Sequence, residues 1–167
     1  MTISIFIWVV FLHIHKEAEV DMYLETGYVY HIKEEYFEFA KDDKLMKNHE
    51  NGLMRPTYLC VKKEKSKILW FIPMSSKIEK YRKLRDNKIK KMGYCDSIVI
   101  GKYKKKEAAF LIQNIFPVTE KYIDHIDTSR NKAVPVVKST REEIERKVKK
   151  IFKLKNNRFR FNISRCF

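Results

Sequence analysis

Glycine and proline are scarce in this chain, four of each in 167 residues, which excludes a collagen-like or linker-rich polymer, and no segment repeats at a solenoid period. Its three cysteines, Cys60, Cys95 and Cys166, have neither paired spacing nor a histidine partner at metal-ligand spacing, so they read as reduced thiols, with Cys60 a small core residue in a strand pattern. There is no Gly-rich phosphate loop, no acidic cluster for two-metal catalysis and no Ser-His-Asp nucleophile elbow. Metal-dependent cleavage is therefore disfavoured, and no metal or cofactor is expected. Long apolar runs are missing too: Ile3 to Ile14 is nearly all apolar but shorter than the roughly 18 to 20 residues of a membrane span. It lacks a preceding Lys or Arg and a small-residue cleavage pattern, so it fails as signal and as anchor. No membrane partner and a cytoplasmic location are the expectation.

Acidic residues are in the minority, 21 Asp and Glu against 36 Lys and Arg, for a net charge of +15. Residues 1–21, with Lys16 against Glu17, Glu19 and Asp21, differ from the rest; without them the net charge rises from +15 to +17. The codons for Lys16, Glu17 and the start of Ala18 can spell a ribosome-binding sequence ahead of Met22. Residues 1–21 thus read as an untranslated upstream extension, or as a short N-terminal appendage, with 22–167 a single domain. With 44% hydrophobic and 13% aromatic residues, that domain has ample material for one core. Its charge favours a polyanion, and since no uninterrupted basic tail exists, the cations belong to the folded surface.

The stretch that organises the chain is Ile68 to Tyr81, ILWFIPMSSKIEKY. Ile68 to Ile72 is too short for a typical helix and reads as a strand buried on both faces, ending at Pro73. Ser75, Ser76 and Lys77 follow, then Ile78, Tyr81 and Leu84 at helical spacing, predicting a helix from about Ser76 to Met92 with Gly93 as its C-cap. A serine at its start is the preferred N-cap, and free N–H groups there accept an anionic oxygen. Upstream, Thr57 to Val61 pairs with Ile68 to Ile72 across a charged turn. Arg55, at the start of one strand, then meets Ser75 and Ser76 at the end of the other.

Around this hairpin, Gly27 to Ile32 reads as a first strand, with Val29 on the face opposite Tyr28 and Tyr30. A helix follows from Lys33 or Glu34, with Tyr36, Phe37, Ala40 and Leu45 apolar, ending before Asn51 and Gly52. Ser97 to Gly101 and Ala108 to Ile112 flank the loop KYKKKE as a second hairpin. Gln113 to Ile123 continues as a strand broken or bent at Pro117, and TSRNKAVP is an irregular basic connection of the kind that often carries substrate contacts. Ser139 or Thr140 ahead of Glu142 and Glu143 resembles a capping box for a terminal helix. Its inner stripe is Ile144, Val148, Ile151 and Phe152, with Arg146, Lys147, Lys149 and Lys150 outward. The tail RFRFNISRCF reads as an edge strand.

RNA carries its own nucleophile in the 2′-hydroxyl, so cleavage needs alignment, proton removal and donors for the phosphorane. Arg55, Ser75, Ser76 and Lys77 are the residue types for this, giving a 2′,3′-cyclic phosphate and a 5′-hydroxyl. His49, in KNHENGLMR, is a rival base because imidazole titrates near neutrality, and Lys80 is a rival ammonium. His31 and His125 read as packing or surface residues. The helix stripe Lys80, Arg82, Lys83, Arg85, Lys88, Lys90 and Lys91 is the expected RNA-facing surface, on a helix whose inner side is Ile78, Tyr81, Leu84 and Ile89.

The words RPTYLCV and WFIPMSSKIEKY, preceded by GYVYHIKEEYFEFA and HENGLM, make residues from about Met22 to about Phe161 similar to the toxins of bacterial type III toxin-antitoxin systems. The likeness is nearest the CptN branch and more distant to ToxN and AbiQ. It implies an α+β fold built on a compact SH3-like β-barrel of the MazF, Kid and CcdB type, with inserted helices and a C-terminal helix. It further implies a metal-independent endoribonuclease acting on mRNA. Its partner would be a small repetitive structured RNA antitoxin, held in a cyclic toxin–RNA assembly. Arg55, Ser75 and Ser76 match the family's basic and hydroxyl positions. Where distant relatives have a lysine this chain has Ile78, with Lys77 one place early and Lys80 two places late. A barrel of this type that poisons a topoisomerase, or a basic RNA-binding module without catalysis, is the alternative.

Overall fold

The predicted hairpin is the spine of the observed sheet. The computed structural model describes residues 24–43, 45–50, 52–62 and 66–159; residues 1–21, Met22, Cys166 and all but the start of the proposed edge-strand tail lie outside them. Strand β1 (Val29–Ile32) leads into helix α1 (Glu34–Ala40), then the short strands β2 (His49–Glu50) and β3 (Leu53–Met54). Next come β4 (Thr57–Lys62), β5 (Ile68–Ser75) and helix α2 (Ile78–Met92). A second hairpin, β6 (Val99–Tyr103) and β7 (Lys106–Phe110), precedes β8 (Phe116–Thr119) and β9 (Ile123–Ile126). The hairpin β10 (Thr128–Ser129) and β11 (Lys132–Ala133) leads to helix α3 (Lys138–Phe159).

All strand pairs are antiparallel, and the main sheet runs β6-β7-β5-β4-β1-β9, with β8 also on β5. The fold is therefore α+β, with an antiparallel sheet that stays open among the described residues. Alternation sorts its side chains. Val29, Tyr58, Ile72, Met74 and Phe110 cluster with Ile144 and Val148 of α3 on one face. Tyr30, Leu59, Phe71 and Phe116 cluster with Tyr36 of α1, and Ala109 and Leu111 with Tyr81 of α2. The expected opposition of Val29 to Tyr28 and Tyr30 is what these clusters record.

Several expectations are corrected. Pro73 does not end its strand: β5 continues to Ser75. On one edge β5 pairs with β8 through Phe71 and with β7 from Met74, so Pro73 sits where the partner changes. The Leu111 carbonyl opposite it accepts instead from the Asn114 N–H at 2.9 Å, so the missing donor leaves nothing unpaired. Helix α1 stops at Ala40, where Lys41 takes a left-handed conformation (φ 43°), well short of residue 51. The strand expected over Gln113 to Ile123 is two strands and two 3₁₀ turns, with Pro117 inside β8. The irregular TSRNKAVP segment contains the β10–β11 hairpin.

Helix α3 starts at Lys138, so Ser139 and Thr140 lie inside it and form no capping box. Thr140 is buried, its Oγ1 accepting from the Lys102 N–H at 3.3 Å. It lies so close to Gly101 that a Cβ there would overlap its side chain. Lys147, expected outside, is buried with its ammonium on Glu143 at 2.7 Å and the Ile98 carbonyl at 3.3 Å. The terminal helix runs on to Phe159, through the start of the tail read as a strand. No helix among the described residues is long and apolar enough to cross a membrane.

Asp127 joins β1, β9 and the β6–β7 hairpin. Its carboxylate accepts from Tyr103 Oη (3.0 Å) and Lys104 Nζ (2.7 Å) and lies 3.7 Å from His31 Nε2, while His31 stacks on His125 at 4.6 Å. Burial alone would raise its pKa, but these donors hold it at about 2. Because the folded value is depressed, the stabilisation is present above the usual carboxylate pKa near 4 and fades as pH falls toward about 2. Asp127→Ala is expected to lower stability by roughly 2 kcal/mol at neutral pH. In urea titrations the gap from wild type should close in acid; a gap that persists there would assign the loss to packing.

Candidate active site

The sheet register brings Arg55 and the end of β5 together. Thr57 pairs with Pro73, so Arg55, two residues earlier, lies beside Met74 and Ser75. Arg55 is buried, and its guanidinium donates from Nη1 to the Met74 carbonyl and from Nε to the Lys47 carbonyl, both at 2.9 Å. The Arg55 N–H also donates to the Asn48 carbonyl. One side chain thus fastens the segment carrying His49 to the strand end carrying the serines.

Ser75 and Ser76 differ in environment. Ser75 is buried, with its Oγ accepting from the Lys77 N–H at 3.2 Å, whereas Ser76 and Lys77 are exposed. Neither serine caps α2. Its N-cap is Lys77 (φ −78°, ψ 62°), whose side chain makes no capping bond. The Ile78 N–H is taken by the Ser76 carbonyl at 2.8 Å. The helix therefore presents its positive end beside the exposed Ser76 and Lys77, where the dipole favours an anionic oxygen. At the other end, Gly93 (φ 79°) is the expected left-handed cap.

His49 is half-exposed in the β2–β3 hairpin, its Nδ1 3.4 Å from Glu34 Oε2. Sequence reasoning missed Asn48. It is buried, and its Nδ2 donates to the Ile32 carbonyl (3.0 Å) and to Glu34 Oε2 (2.8 Å), so the same carboxylate orients Asn48 and faces His49. A cavity of about 380 Å³ lined by Glu34, Asp42, Asn48 and His49 opens here. Nothing in the pattern KNHENG separates this buried amide from a loop residue.

The α2 stripe is divided. Arg82 forms a bidentate pair with Glu107 at 3.0 and 2.9 Å, Arg85 pairs with Asp86, and Lys88 bonds Ser97 Oγ and Gln113 Oε1. Lys80 stands over the Tyr81 ring at 5.6 Å, and Lys83, Lys90 and Lys91 are exposed. The inner side is also looser than expected: Tyr81 is buried, but Leu84 and Ile89 are 39% and 42% exposed. Among the described residues no three His, Cys, Asp or Glu side chains group to hold a metal ion.

The chain thus combines an antiparallel sheet and a lysine-rich helix with an exposed serine and lysine beside that helix's N-terminus. The chain is the toxin component of a type III toxin-antitoxin system, a class that pairs its toxin with an RNA antitoxin. It belongs to the ToxN family, whose model matches residues 28–165. The solved structure of AbiQ, a lactococcal anti-phage endoribonuclease of a type III system, is 17% identical with a TM-score of 0.57, covering 77% of this chain and 82% of that one. At that identity the likeness is one of fold. No curated protein matches the chain.

Proposed function

We propose that this toxin is an endoribonuclease that cuts mRNA in the cytoplasm without a metal ion, by attack of the ribose 2′-hydroxyl, leaving 2′,3′-cyclic phosphate and 5′-hydroxyl ends. The observation that carries this reading is the exposure of Ser76 and Lys77 at the positive end of α2. A hydroxyl, an ammonium and the positive end of a helix dipole are the groups that would stabilise a phosphorane there. Ser75 shapes the turn through the Lys77 N–H, and Arg55 fixes the strand end through Met74. His49, faced by Glu34, and Lys80 are the second candidates for proton transfer and charge.

The activity named for AbiQ supports the reaction, and that protein's anti-phage role supports phage defence as the purpose. The inhibitor is a small repetitive RNA whose folded units cover this site, in a cyclic toxin–RNA assembly, with α2 as one of the faces it meets. We take the sharing of β5 between β7 and β8 as the bend of an SH3-like barrel. Purified toxin incubated with mRNA in EDTA should cut it, and end-group analysis should find cyclic phosphates. One unit of the RNA repeat encoded beside the gene should block the cut better than scrambled RNA of equal length. Cleavage only after metal addition, or none with intact binding, would replace this reading.

A further inference from the structure

The tip of the β6–β7 hairpin meets Asp127 and the start of the β10–β11 hairpin, away from the β5–α2 junction. The two-residue turn of β6–β7 is Lys104–Lys105, with φ of 47° and 63°, and that of β10–β11 is Arg130–Asn131, with φ of 51° and 59°. Tight hairpins with two left-handed positions favour Asn-Gly, because a side chain there is strained. Here three of the four positions hold long cations. Residues kept in such conformations mark places where the side chain is wanted for something other than the fold.

Lys104 ties the β6–β7 tip to the start of the second hairpin. Its ammonium reaches Asp127 Oδ1 at 2.7 Å and the Thr128 carbonyl, at the start of β10, at 2.6 Å. Lys102, Lys105, Lys106, Arg130 and Lys132 are left exposed around it, and among the described residues none is held in an ion pair. Asp127 is occupied by Lys104 and Tyr103, and Glu107 by Arg82. Ser75 pairs with Ala109, four residues along β7 from Lys105, so the tips stand about 13 Å from the end of β5 at ~3.3 Å per strand residue.

We propose that the paired tips are a second RNA contact, gripping the phosphodiester backbone of a strand that passes the Ser76–Lys77 end of β5 and runs along the β6–β7 hairpin. This rests on the reading of the chain as an RNA-acting toxin and adds where the strand goes. The contact is to phosphates, so it holds and orients RNA without reading its bases. It serves substrate and antitoxin alike.

The test removes charge while relieving strain. Asn tolerates left-handed backbone, so Lys105→Asn with Arg130→Asn should fold with a thermal midpoint at or above that of the parent. Placed in a Ser76→Ala background, so that bound RNA survives, the pair should weaken binding of an oligouridylate of about 20 nucleotides, a length that covers both places. The log–log salt slope should become shallower by about 1.4, two contacts at ~0.7 each. Lys41→Asn, at another exposed left-handed lysine, is the matched control and should leave the slope as it was. An unchanged slope in the pair while wild type still binds and cuts RNA overturns the second contact and leaves the catalytic reading standing. An equal change in Lys41→Asn reduces the effect to net charge and also overturns it. A larger loss for polyglutamate than for oligouridylate would assign the tips to an acidic protein instead. Absence of any RNA binding by wild type would end both readings.

Discussion

Ser76→Ala and Lys77→Ala should each cut RNA at least about a hundredfold more slowly than wild type, which is the size seen when one preorganised donor to a developing oxyanion is lost. Both residues are exposed, and their backbones hold the turn: the Lys77 N–H donates to Ser75 Oγ, and the Ser76 carbonyl accepts from the Ile78 N–H. Ser76→Ala therefore leaves the α2 terminus and its N–H groups in place, and its thermal melt should overlay the wild type. The two substitutions act on one transition state, so the double variant should lose less than the product of the single losses. Full activity in that double variant would remove the site from the β5–α2 junction. A loss confined to His49→Ala would move proton transfer to the imidazole facing Glu34.

How far the sequence foretold this site can be argued residue by residue. The β4–β5 hairpin was legible because two apolar runs flank a charged turn, and its antiparallel register then dictated that Arg55 meet Ser75. Gly93 announced the end of α2 because only a left-handed cap needs it there. Local rules failed where a distant partner decided. Pro73 stays in its strand because the neighbour changes from β8 to β7 at that residue. Thr140 looked like a cap, but its hydroxyl is taken by the Lys102 N–H of a strand far away in sequence. Lys147 looked exposed, yet Glu143 and the Ile98 carbonyl together make its burial tolerable. The β10–β11 turn was unreadable as a hairpin since Arg-Asn lacks the glycine that normally signals one.

Those polar anchors matter most at Arg55, where substitution should damage folding and cleavage together. Arg55→Ala leaves the carbonyls of Met74 and Lys47 without their charged donor. At about 1.5 to 3 kcal/mol for a hydrogen bond to a charged group, and with incomplete additivity, a loss of about 3 kcal/mol is expected. For a chain of this length that corresponds to a fall on the order of 10 °C in thermal midpoint. Cleavage should fall as well, measured well below the midpoint, because the Met74 carbonyl no longer holds the residue before Ser75 and the turn to Lys77 loosens. Geometry that drifts by about an ångström is enough to cost a hundredfold in rate. Arg55→Lys separates positioning from charge: it keeps the cation but cannot reach two carbonyls in a fixed fork. It should recover part of the stability and little of the rate. A variant Arg55→Ala that melts like wild type yet is inactive would instead place the guanidinium on the scissile phosphate, and one that melts low but cuts at the wild-type rate would confine Arg55 to holding the fold.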